Sequence, residues 1–137
     1  MVKTTRTTRC SPADARLRLR TAQAYLDVAT SVLGERDRDE YLNVAAGDAI
    51  LAGIAASDAI CGLTLGYLHR GDDHHAAEDL LRGATHDGQH LATVLRRLLN
   101  LKDAAHYGVP VVSARKAADA AKWAAQLVER AVQEAER

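Results

Sequence analysis

With 137 residues, the chain has length enough for one domain and a real hydrophobic core. Its 47% hydrophobic fraction is mostly Ala, Leu and Val, with no Phe, one Trp and two Pro, which favours helix over sheet. The 18 basic and 18 acidic residues cancel, which excludes a whole-chain basic field for nucleic acid and leaves only a local patch to do that work.

Residues 1–10 read as a disordered basic arm of Thr, Lys and Arg without periodicity. The arm has no apolar stretch of the secretory kind. Cys10 in this polar arm and Cys61 in an apolar run make an unlike pair, so no disulfide is expected and a reducing cytoplasm fits. Ser11-Pro12-Ala13-Asp14 then announces the first helix. Ser caps, Pro suits the first turn, and Asp complements its positive end. Leu19, Ala22, Leu26, Ala29 and Leu33 form its apolar stripe, and Gly34 ends it.

The second helix is expected from about Glu40 to Leu68. Ile50, Ile54, Cys61, Leu65 and Leu68 line one side, while Ala52, Ala56, Ala59, Leu63 and Tyr67 line the other. A helix apolar nearly all round is central or sits at a subunit interface. Gly47, Gly53 and Gly62 each cost about 1 kcal/mol of propensity, which close approach of a neighbour would explain. Val44 to Leu68 holds no Lys or Arg, but Asp48 and Asp58 would each cost about 2.5–3.5 kcal/mol near a bilayer centre. It therefore reads as a buried soluble helix, with no membrane span expected. Asp58 needs a partner, either an Arg of the first helix (Arg16, Arg18 or Arg20) or the Trp123 N–H. Trp123 itself is most simply an anchor of the core or of a dimer interface.

A short third helix is expected from Asp73 to Arg82, and a fourth from about Gln89 to Tyr107, stopped by Gly108-Val109-Pro110. Ser113 caps the fifth, whose core face is Ala117, Ala121, Ala124, Val128 and Ala131. Short connections imply antiparallel neighbours. The expected fold is thus an all-α antiparallel up-down bundle of four long helices plus one short helix. Alternating directions would gather the arm, the turn His69 to His75, the Lys102 to Gly108 stretch and Arg115-Lys116 at one end. His86 and His90 would lie at the other end.

Ser57 to Val128 resembles the HEPN family, small helical domains of prokaryotic toxin–antitoxin and defence systems. His75-Ala76-Ala77-Glu78-Asp79-Leu80-Leu81 is similar to the family's short helix opened by His and closed by a Leu pair. Lys102-Asp103-Ala104-Ala105-His106-Tyr107-Gly108 is similar to its helix-ending stretch, with Ser113 opening the last helix. The resemblance implies a HEPN-like domain over 11–137, a homodimer, RNA as a ligand, and a nucleotidyltransferase-like antitoxin as a partner. It implies no cofactor. Ribonuclease members place about four to six residues between an Arg and a following His, for acid–base work on the ribose 2′-hydroxyl and for phosphate charge. Here those Arg positions hold Leu101, Asn100 and Leu99. The spacing occurs instead between Arg70 and His75, in the turn before the third helix.

The expected catalytic set is therefore His106 with Lys102 and Tyr107, and enzyme activity stays open. Lys102 and His106 share a helix face and could meet one ligand, or could simply complement the negative helix end. Arg70, His74 and His75, with Arg115 and Lys116, are the expected phosphate or RNA contacts. The alternative for the first three is a polar capped turn, since Asp72 and Asp73 oppose an anion. His86 and His90 have metal-like spacing without further ligands, and no metal is expected. The rival function is a non-catalytic module that pairs with a nucleotidyltransferase-like or regulatory chain.

Overall fold

Ser11 begins the first helix as its sequence requires. Its hydroxyl accepts from the Asp14 amide at 3.0 Å, and its own amide donates to the Asp14 carboxylate at 3.3 Å. In the computed structural model, which describes residues 6–35, 38–71, 73–102, 105 and 112–137, this helix, α1, runs Pro12–Leu33. Then follow α2 (Asp39–Leu65), α3 (His74–Arg82), α4 (Gly88–Leu99) and α5 (Ala114–Ala135). The fold is mostly helical, with one small two-stranded sheet.

That sheet corrects the reading of the arm and of the end of the second helix. Thr7–Arg9 forms β1 and Tyr67–His69 forms β2, antiparallel, with Thr7 opposite His69 and Arg9 opposite Tyr67. Gly66, left-handed at φ 80°, stops α2 three residues earlier than expected and turns the chain into β2. The strand amides then find carbonyls across the ribbon instead of in a helix. Arg70 N donates to Arg6 O at 2.9 Å, and Cys10 N donates to Gly66 O at 3.0 Å. Residues 1–5 lie outside the described residues.

α2 is the central helix. It packs chiefly on α1 and α5, and buries Ile50, Ile60, Cys61 and a run of Ala. It is the one helix among the described residues long and apolar enough to cross a membrane, and 72% of that stretch is buried against the rest of the chain, as in the core of a soluble protein. Gly62 shows why small residues recur along it. A Cβ there would lie 2.5 Å from Cys10 Sγ and 3.0 Å from Ala15 Cβ. Gly53 makes the same room for Leu98 and Leu127. Asp58 takes the partner expected from α1, with Arg18 Nη2 at 2.8 Å from Oδ2. Trp123 packs half-buried against the core.

The directions differ from the strict alternation expected. Ala15 and Arg18 of α1 meet Gly62 and Asp58, so α1 and α2 are antiparallel. Val112, just before α5, instead donates its amide to Asn43 Oδ1 at 2.8 Å, beside the start of α2, while Leu127 lies against Gly53. α5 therefore runs parallel to α2. The reason is length. α3 and α4 have nine and twelve residues and form a hairpin on the C-terminal half of α2, where Ala77, Leu95 and Leu99 face Ile54, Ser57 and Asp58. α4 ends at Leu99 and does not reach Tyr107. Lys102 and Ala105 are helical again after a turn.

Candidate functional site

Asp73 caps α3, and its Oδ1 accepts from the amides of His75 at 3.1 Å and Ala76 at 3.3 Å. Those amides are thereby taken, so the expected use of this helix start as an anion site gives way to the capped turn. One turn further on, the α3 spiral carries Glu78 beneath His75. Glu78 is almost fully enclosed, with its side chain 3% exposed. A buried carboxylate needs partners, and Glu78 has two. His75 Nδ1 lies 3.1 Å from Oε2, and Arg96 Nε of α4 donates to Oε1 at 3.2 Å.

The partners themselves stay in solvent, His75 being 77% and Arg96 52% exposed. Each spends one nitrogen on Glu78. With the proton of His75 on Nδ1 toward the carboxylate, Nε2 is left outside as a proton acceptor. The terminal N–H groups of Arg96 remain beside it as donors to an anion. An oriented imidazole next to a guanidinium can accept a proton and stabilise phosphate charge.

Behind this surface lies a cavity of about 60 Å³ between α2, β2 and the α3–α4 hairpin. Asp58, Ser57, His69 and His74 line it, with Ile54 and Leu95 among its apolar walls. Burial raises the Asp58 carboxyl above the ordinary carboxylate value, and the neighbouring Arg18 opposes that shift. Ser57 donates its hydroxyl proton to Gly53 O at 2.8 Å. Neither ring nitrogen of His69 has a hydrogen-bond partner, although both are enclosed. Cys10 and Cys61 are buried free thiols nearby. Burial pushes Cys61 up to about 12, so it is no nucleophile at neutral pH.

The expected site residues do not gather at one end. Arg70 and His75 are exposed and His74 is half-buried, all three around the start of α3. Lys102 is half-buried beyond α4. His106 and Tyr107 lie outside the described residues. Arg115 and Lys116 are exposed in the first turn of α5, where Ser113 accepts from the Lys116 amide at 3.1 Å. That turn adjoins Asn43, about 33 Å along α2 from the β1–β2 ribbon, so the expected union of these two residues with the His69–His75 turn is corrected. His86 and His90 are exposed, and the Asp87 between them is held by Arg130 at 2.6 Å. Among the described residues no group of three His, Cys, Asp or Glu is placed to hold a metal.

Sequence spacing alone does not single out Glu78 or Arg96. The available signal was Glu78 itself, a charge set between the inward Ala77 and Leu81 and one turn after a His. No protein-family model matches the chain, and no characterised relative does.

Proposed function

We propose that the chain is an RNA-associated helical module of HEPN type, acting as a cytoplasmic homodimer in a toxin–antitoxin or defence setting, with the α3–α4 corner as its RNA-facing surface. The observation that carries this reading is the shared clamp of His75 and Arg96 on the buried Glu78 carboxylate. It fixes an acid–base group beside a phosphate donor without closing either from solvent. In this reading His75 Nε2 takes the proton of a ribose 2′-hydroxyl. The 2′-oxygen then attacks the adjacent phosphorus and expels the 5′-oxygen, which takes a proton from water. Arg96 offsets the charge that gathers on phosphate.

The finer fold belongs to the same reading. α1, α2, the α3–α4 segment taken as one leg, and α5 make an up-down bundle of four legs, which accounts for α5 running with α2. The resemblance itself assigns the chemistry to His106, Lys102 and Tyr107. One experiment separates the two assignments. The purified chain, His75→Ala, Arg96→Ala and His106→Ala are incubated with a labelled RNA pool. Cleavage should fall about 100-fold or more in His75→Ala, and substantially in Arg96→Ala, while His106→Ala keeps it. The reverse pattern moves the site to the His106 stretch. A wild-type chain that neither cleaves nor binds RNA removes the reading.

A second reading has its own observation. Leu17, Thr21, Ala24 and Val28 follow one outer face of α1, with Leu17 55% and Val28 48% exposed. A nucleotidyltransferase-like or regulatory partner seated there would make the chain a non-catalytic interaction module.

A further inference from the structure

The cavity behind His75 has an unbalanced set of polar groups. Ser57 spends its only proton on Gly53 O, so toward the cavity it offers lone pairs alone. Asp58 gives Oδ2 to Arg18, and a carboxylate retains further acceptor sites. His69, when neutral, offers one donor and one acceptor, both enclosed and neither satisfied within the protein. His74 adds a second imidazole to the lining, again one donor and one acceptor when neutral, so acceptors still outnumber donors, and the lining carries a carboxylate but no Lys or Arg. Buried polar atoms left without partners cost about 1–3 kcal/mol each, so the site favours an occupant that supplies protons.

We propose that this cavity is a binding site for a small free cation of guanidinium or amine type, held by Asp58, His69 and Ser57. Size and wall chemistry agree. At roughly 10–15 Å³ for each water-sized position, about 60 Å³ takes a group of about four to six heavy atoms. The walls of Ile54 and Leu95 accommodate one attached methyl group. An anion would face Asp58. The inference does not depend on whether the outer surface touches RNA.

The test uses the full chain and follows the His69 ring signals by NMR. The probes are methylguanidinium and methylammonium, with urea and inorganic phosphate as controls. At least one cation should give a saturable shift at millimolar concentration, and it should bind about tenfold more weakly to Asp58→Asn. Ala77→Leu, which fills the cavity from α3, should abolish the shift while circular dichroism stays unchanged. It carries the test on its own if Asp58→Asn fails to fold. Absence of saturation with either cation overturns the proposal, as does equal binding of urea, binding of phosphate, or an Ala77→Leu protein that binds like wild type.

Discussion

Two aspartates show how the surroundings of a single residue set its response to pH. The Arg130 guanidinium, with Thr85 behind it, holds the Asp87 carboxyl below the ordinary value of 3.8. A lowered carboxyl adds stability that is complete above 3.8 and disappears as pH falls through and beneath that value. Asp58 has the opposite sign. Its burial raises the carboxyl, so ionisation costs the folded state more than the unfolded one. Its contribution therefore worsens as pH climbs from 3.8 through the raised value. Urea midpoints measured across pH should separate the two. Asp87→Asn should be weaker than wild type at neutral pH and converge with it in acid. Asp58→Asn should gain on wild type as pH rises from 3.8. Profiles parallel to wild type in both variants would refute these assignments. The Arg18–Asp58 pairing was legible in sequence because a charge on an apolar helix must find a partner. The Glu78 cluster was less so, because nothing in a nine-residue helix says which of its charges faces inward.

At the level of elements, helix caps and apolar stripes are legible in the sequence, whereas the far ends of helices are not. Ser11, Asp73 and Ser113 start their helices with local side-chain hydrogen bonds, which a sequence displays directly. Tyr67 and Leu68 continue the apolar pattern of α2, yet they leave the helix and lie opposite Arg9 and Thr8 of the arm in the ribbon. Two glycines of α2 and its cap should respond to substitution for different reasons. Gly62→Ala gains about 1 kcal/mol of helix propensity. It also drives a methyl group into Cys10 Sγ and Ala15 Cβ, at a cost of about 1–3 kcal/mol. Gly66→Ala meets nothing within 4 Å, but must hold φ 80°, at about 1–2 kcal/mol. Cys10→Ala should therefore relieve Gly62→Ala in part and leave Gly66→Ala untouched. Denaturant melts of the two double variants check this, and equal relief would refute the distinction.

For the whole molecule, all-α character followed from composition, but the direction of the last helix did not. Counting each helix as a full leg puts α5 antiparallel to α2. At 1.5 Å per residue, α3 spans about 14 Å against about 40 Å for α2, so α3 and α4 cannot each return the length of the molecule. The consequence is functional. Arg115 and Lys116 lie far from His75, so among the described residues the expected basic groups do not share one end. The assembly question moves with it. An all-round apolar second helix is either central or at a subunit interface, and α2 is central, spending its sides on α1 and α5. Among the described residues the large apolar side chains left in solvent are Leu17 and Val28 on α1, Val44 at the start of α2 and, less so, Tyr67 in β2. The α1 positions recur at steps of four, three and four residues, so two copies can meet symmetrically along that face. A stable pair needs about 800 Å² from each partner, roughly a tenth of the 7748 Å² that one chain exposes. Light scattering at micromolar concentration should give twice the 14.8 kDa chain mass. Leu17→Glu with Val28→Glu should return the monomer with an unchanged helical spectrum. A wild-type monomer would leave the α1 face to a different partner and end the homodimer reading. A double variant that stays dimeric would move the contact off α1.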